Sequence, residues 1–213
     1  METWKKSYSQ FGEDILLDHI FDNIFKIPKG FYVDFGCFHP QKYSNTARLF
    51  EAGWRGLNVD ANPASIALFE EARPGDINIA SGVADEAGEL DFFVFRGGAA
   101  STFDPKLKSV YENKGWAVEK IITVPVETPS KILSSNLPFN QFIDYVNIDI
   151  EGMDDRVIRS FDFLRHRPHC ITIETGNSTI GDGDSNIVSF MKSKGYRYYS
   201  QIAITSFFLN SSH

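Results

Sequence analysis

Apolar positions along the chain form two alternating kinds of run. In "SQFGEDILLDHIFDNIF" (9–25), Leu16, Leu17, Ile20, Phe21 and Ile24 recur at helical spacing. Ser7 with Gln10 is a candidate capping box, and Ser9 competes as the cap. "FYVDF" (31–35) is short, continuous and rich in β-formers, the pattern of a buried strand. "SNTARLFEAG" (44–53) predicts a helix stopped by Gly53, and "RGLNVD" (55–60) a second strand. "NPASIALFEEA" (62–72) predicts a helix capped by Asn62 with Pro63 in its first position.

The alternation continues. "INIASGVA" (77–84) reads as a third strand, and "GELDFFVF" (88–95) as a strand leading out of the regular pattern. Asp104-Pro105 and Thr128-Pro129 start helices on either side of the strand-like "KIITVPVET" (120–128). "DYVNIDI" (144–150), a helical "DDRVIRSFDFL" and "CITIET" (170–175) follow. "SNIVSFMKSKG" (185–195) is a helix with Gly195 as its stop; "YRYYSQI" and "ITSFFLN" close the chain as strands with no room for a helix between them. Strands alternating with helices imply right-handed crossovers and a mostly parallel, two-sided α/β sheet. The last two strands must pair antiparallel.

Composition adds little to this and removes some function classes. The 213 residues fit one domain, and 42% hydrophobic with 23% charged residues is ordinary for a globular protein. A net charge of −7 argues against nucleic acid as the main partner. Cys37 and Cys170 lie in apolar, strand-like sequence, which argues for a reducing compartment rather than a disulfide framework. The N-terminus lacks an apolar signal region, and no apolar run approaches the ~18 residues of a membrane span. A cytoplasmic location is expected.

In such a sheet, ligands bind beyond the carboxyl ends of the strands, where strand order reverses. The first strand ends in "VDFGCFHP" (33–40). A dinucleotide fingerprint needs glycines at relative positions 1, 3 and 6, and here these are Gly36, Phe38 and Gln41. Phe38 would obstruct a pyrophosphate, so a dinucleotide is disfavoured. Asp34 is read as hydrogen-bonded support of the turn and as a candidate cofactor-binding residue. Asp60 ends the second strand, where an acid commonly accepts from a ribose diol; its alternative is a helix cap. Asp85 follows the third strand, beside an adenine edge or simply in a turn.

Asp149 and Glu151 follow the fourth strand of the pattern and Glu174 ends the fifth. Acids there are costly unless paired or used. Asp149 and Glu174 are candidate oxygen ligands for Mg²⁺ or another divalent cation, or else a polar pocket rim. "DGDSN" (182–186) begins like a calcium loop but has Ile187 and Ser193 where glycine and glutamate belong. It reads instead as a loop with a helix cap at Ser185.

These blocks, in this order, resemble the FkbM-type family of S-adenosylmethionine-dependent methyltransferases over nearly the whole chain. The carriers are "SQFGEDILL", "GFYVDFGCFHP", "SNTARLFEAGWRGLNVDANP", "INIASGVADEAGEL", "STFD", "DYVNIDIEGMD" and "CITIE". In much of the family the first loop reads Gly-Ala-His-His-Pro; this chain keeps the second histidine as His39 and has Phe38 for the first. The resemblance implies a Rossmann-like class I methyltransferase fold. That fold has a mostly parallel seven-stranded sheet, a C-terminal antiparallel hairpin and helices on both faces. It implies a single domain over 1–213, with 1–28 as a helical cover over the cofactor pocket. By the same resemblance Gly36 turns at the methionine part of the cofactor, Asp60 holds the ribose, and Asn62 and Asp85 lie by the adenosine. Gln10 reaches in from the cover. Ser44, Asn45 and Thr46 start a helix whose N–H groups would hold the cofactor carboxylate, and Asp149 and Glu151 sit at the reaction end.

The expected activity is O-methylation of a sugar hydroxyl in a glycan or glycosylated metabolite. Asp149 is the first candidate for base or metal ligand. His39 is the second, since an unperturbed histidine titrates near ~6.5, although a histidine in a tight loop also serves by bonding the backbone. Trp54, Tyr111 and Trp116 are candidates to stack on sugar rings or to pack in the core. A non-catalytic cofactor-binding module is the rival, and a nicotinamide oxidoreductase a weaker one.

Overall fold

A computed structural model of the chain describes residues 4–176 and 186–212. The loop and the Ser185 cap read from "DGDSN" lie outside the described residues. The N-terminal helix splits into α1 (Glu13–His19) and a π-helical segment (Ile20–Phe25). The Ser7–Gln10 capping box does not form. Ser9 is not the cap either: Gly12 stands in that position with no side-chain cap, while Ser9 Oγ accepts from the N–H groups of Gly12 and Asp14, and Ser7 donates to Asp14.

Then come β1 (Phe31–Phe35), α2 (Ala47–Glu51), β2 (Arg55–Asp60), α3 (Pro63–Ala72), β3 (Ile77–Ala80) and β4 (Gly82–Val83). They are followed by β5 (Gly88–Phe95), α4 (Pro105–Asn113), β6 (Val118–Glu127), α5 (Pro129–Asn136) and β7 (Tyr145–Ile148). The rest are α6 (Asp154–Arg159), β8 (Cys170–Glu174), α7 (Asn186–Ser193), β9 (Tyr196–Ile202) and β10 (Thr205–Asn210). One device starts three helices. Asn62, Asp104 and Thr128 each precede a proline, and each side chain accepts a first-turn N–H, from Ala64, Lys106 and Lys131.

The main sheet has seven strands in the order β3-β2-β1-β7-β8-β10-β9. Pairs from β3 to β8 are parallel, and β10 runs antiparallel to both β8 and β9. Strand order reverses between β1 and β7. The run 77–84 is not one strand. After β3 the Ser81 N–H bonds back to the Asp60 carbonyl, and Gly82–Val83 leaves to join a second sheet, β4-β6-β5. Among the described residues no helix is long and apolar enough to cross a membrane.

Period-2 alternation gives the main sheet two different faces. Val33, Phe35, Leu57, Val59, Val146, Ile148, Ile171 and Ile173 form an apolar face beneath α5, α6 and α7. On the other face Tyr32, Tyr145 and Cys170 pack against Leu17, Ile20 and Phe21 of the N-terminal helix and Leu49 and Trp54. That face also carries a polar row in register across four neighbouring pairs: Asn78, Asn58, Asp34, Asn147 and Thr172. So residues 13–25 are mainly a core layer on the sheet. Trp54 is a core residue, edge-on to Phe21 at 4.7 Å, and is not placed to stack on a ligand.

Candidate active site

The site grows from the C-terminal edge of the sheet, around the β1/β7 reversal. β1 ends at Gly36, with φ 84°. A Cβ there would lie 1.7 Å from the Asp149 carbonyl oxygen, so only glycine lets the β1 and β7 loops cross backbone to backbone. The Gly36 and Cys37 N–H groups bond to the Val59 carbonyl and draw the loop over the end of β2. Phe38 (φ 48°), Tyr43 (φ 56°) and Glu151 (φ 52°) are held in left-handed conformations, and all three line one cavity. Strain collected in one place is a mark of function.

The cavity spans about 750 Å³, its open mouth included. Its wall follows the sheet edge: Ser81 to Val83 after β3, Asp60 at β2, Gly36 and Phe38 after β1, Asp149 and Glu151 after β7. Phe92 and Phe103 add an apolar wall from the second sheet and its following loop. Asp60 accepts Phe38 N–H at 2.9 Å and Asn62 N–H at 2.7 Å. Burial nevertheless pushes its carboxyl up to about 6. A carboxylate this starved of solvent, with one backbone donor on each oxygen, suits further hydroxyl donors such as a ribose diol. The residues present therefore fit an adenosyl group.

The other end of the wall is acidic. One carboxylate oxygen each from Asp149, Glu151 and Glu174 lie within 4.8 Å of one another. Asp149 and Glu174 are hydrogen-bonded to each other. Desolvation, then the charges of Glu174, Glu151 and Asp154, hold Asp149 well above the usual carboxylate range. Desolvation and neighbouring acids push Glu174 up to about 8 and Glu151 up to about 7. Tyr111 donates its hydroxyl to Glu151 at 2.7 Å, and Thr102 donates to the Glu151 carbonyl at 2.6 Å. Asp154 accepts the Ile150 and Gly152 N–H groups and so fixes the Asp149–Gly152 turn. Among the described residues no ion pair reaches this cluster. The set is chemically able to hold a proton, and its all-oxygen character also suits a hard divalent cation.

The structure brings Gln10, Gly36, Asp60, Asn62, Asp149 and Glu151 into the cavity wall, and Glu174 borders the groove beside it. Three residues expected at the cofactor lie outside that wall. Asp34 is beneath the loop, accepting Thr46 Oγ1 at 2.7 Å and Asn147 Nδ2 at 2.9 Å. The fully buried Thr46 spends its hydroxyl on Asp34 and Arg73, at the head of a helix only five residues long. Asp85 is carried away by β4 and pairs with Arg156 at 2.8 Å. His39 also stands apart, in a groove with Leu68 and Glu119. Its Nδ1 accepts the Gln41 and Lys42 N–H groups at 3.0 Å each. Desolvation, Lys42 and Arg73 hold it below an ordinary histidine. This geometry matches the loop-holding alternative.

Sequence reasoning missed Arg73. It is fully buried, donates to Tyr32, Thr46 and Ser44, and also bonds the Pro40 carbonyl. It thereby ties the whole 40–46 loop to the sheet. No local pattern marks it, because its partners are 27 to 41 residues away.

Comparison with curated proteins and with solved structures found no match. A family model described as the methyltransferase FkbM domain matches residues 28–198, from just before β1 into β9. That span carries the reversal point, the acid cluster and the cavity wall apart from Gln10, and the chain belongs to the FkbM methyltransferase family.

Proposed function

We propose that this methyltransferase uses S-adenosylmethionine to methylate a hydroxyl, most simply a sugar hydroxyl of a glycan or glycosylated metabolite. The observation that carries this reading is the placement of the acids. Asp149 lines the cavity, Glu174 lines the neighbouring groove, and Glu151 lines both. Donor and acceptor would meet across that seam.

S-adenosylmethionine, when bound, supplies a methyl group on a positively charged sulfonium. Asp60 would accept the ribose hydroxyls, Val83, Phe92 and Phe103 would enclose the adenine, and Gly36 would allow close approach at the methionine end. The Asp149–Glu174 pair would take the proton of the attacking hydroxyl as the new O–C bond replaces the S–C bond. A base held high by its neighbours is matched to an alcohol better than an ordinary carboxylate is.

Calorimetry with S-adenosylmethionine tests the reading: saturable binding is expected, and no binding at ~1 mM refutes it. Binding without turnover on any acceptor would favour the non-catalytic module instead. A divalent cation is a second reading, favoured by three carboxylate oxygens within 4.8 Å. It expects Mg²⁺ to raise the melting temperature and chelator to abolish turnover. An unchanged melting curve with chelator-insensitive turnover removes it.

A further inference from the structure

Beyond the acid seam the cavity opens into a groove bordered by Lys42, Arg96, Tyr111, Trp116 and Glu174. Tyr111 and Trp116 stack at 5.1 Å with 20° between their planes. The pair is anchored on both sides, by Tyr111 edge-on to Phe95 and by its hydroxyl on Glu151. Trp116 is 50% exposed, so its ring offers a face to the groove's solvent. A flat aromatic face joined through one hydrogen bond to the acids suits a sugar ring with one hydroxyl at the seam.

Two cations, Lys42 and Arg96, border the groove. Arg48, Arg156 and Arg159 each close on an aspartate at 2.6 to 2.8 Å. Among the described residues the Arg96 side chain has no such partner, although Glu151 and Glu174 border the same groove. Lys42 lies over the rings of Tyr43 and Phe38 at 5.0 and 5.9 Å, and its backbone is fixed by His39. Acids alone would favour a cationic or neutral acceptor. Two unneutralised cations on the same wall argue for an anion.

Resting on the methyltransferase reading, we propose that this groove is the acceptor subsite and selects a sugar bearing an anionic substituent. Arg96 and Lys42 hold the anion while the ring lies on Trp116 and Tyr111. Repulsion from the acids keeps the anion off the reacting hydroxyl, so the two belong to different carbons of the acceptor. Phosphate and carboxylate share this chemistry, since a guanidinium fork fits both.

The test uses the full chain saturated with S-adenosylhomocysteine. It is titrated separately with glucose 1-phosphate, glucuronic acid and methyl glucoside. Tryptophan fluorescence is the readout, with Trp116→Phe as the blank. At least one anionic probe should bind about 10-fold tighter than methyl glucoside. The Arg96→Ala/Lys42→Ala variant should lose that preference with unchanged S-adenosylmethionine affinity and melting temperature. Preference for glucose 1-phosphate alone marks a phosphorylated acceptor, and for glucuronic acid alone a carboxylated one. Equal binding of all three, no binding of any, or a preference surviving in the double variant overturns the proposal. If S-adenosylmethionine itself fails to bind, the reading beneath falls as well; if it binds while the anionic probes do not, only the acceptor subsite falls.

Discussion

Asp34 and Asp149 lie on neighbouring strand ends, yet their surroundings are opposite. Asp34 meets only donors: the Thr46 hydroxyl and the Asn147 amide, with the Arg73 guanidinium one bond further on. Asp149 meets other carboxyls: Glu174, with which it shares a hydrogen bond, and then Glu151. The first network is satisfied and holds the loop after β1. The second is crowded with like charge and opens onto two cavities. A fold tolerates the second kind only where something is done with it. The two should therefore respond to substitution with opposite signs.

The largest expected effect is on the satisfied network. Arg73→Met leaves Tyr32, Thr46, Ser44 and the Pro40 carbonyl without their shared donor. It should cost about 3 kcal/mol or more, lowering the melting temperature by roughly 10 °C. A loss under ~1 kcal/mol would make Arg73 a bystander. Next, Asp149→Asn should lower turnover at least ~100-fold, the usual reach of a general base, while the fold persists. Turnover within a few fold of the parent would remove the base from Asp149.

Asp60→Ala should weaken S-adenosylmethionine binding by about 10-fold, and the parent's affinity should itself fall as pH drops through about 6. Calorimetry between pH 5 and 8 checks both; flat affinity refutes the ribose role. His39→Ala is the smallest change. It should cost about 1 kcal/mol by freeing the Gln41 and Lys42 N–H groups, with turnover nearly unchanged. A large drop in turnover at an unchanged melting temperature would return His39 to the chemistry.

The strands, the final hairpin and the Pro-initiated helices were legible because each is written locally. Apolar runs of strand length, Asn62-Pro63, Asp104-Pro105 and Thr128-Pro129 need no distant partner to be read. The acids at the site were legible for a related reason: buried apolar strands end in Asp149 and Glu174. What escaped depends on long-range contacts. β3 and β4 form one continuous apolar run, and only the Asp60–Ser81 bond shows where the chain leaves the sheet. That departure moved Asp85 out of reach. Glu151 was legible beside Asp149, but the left-handed backbone that its position requires was not.

Burial also holds Asp34 above the usual carboxylate range, so substitution combined with pH, rather than pH alone, distinguishes the networks. Folding raises Asp60 and Asp154 to about 6, Glu151 to about 7 and Glu174 to about 8. Raised carboxyls bind protons more tightly folded than unfolded. Their contribution is therefore fully present below pH ~4 and is lost as pH rises through 6 to 8. The most direct measurement is the melting temperature of Glu174→Gln beside the parent at pH 8. Removing one crowded acid should raise it by about 3 °C, the gain shrinking toward pH 5, whereas Asp34→Asn should lower it at both. A Glu174→Gln protein that melts below the parent at pH 8 would show the acid cluster to be ordinary structural support, and would contradict its role as the site's proton acceptor.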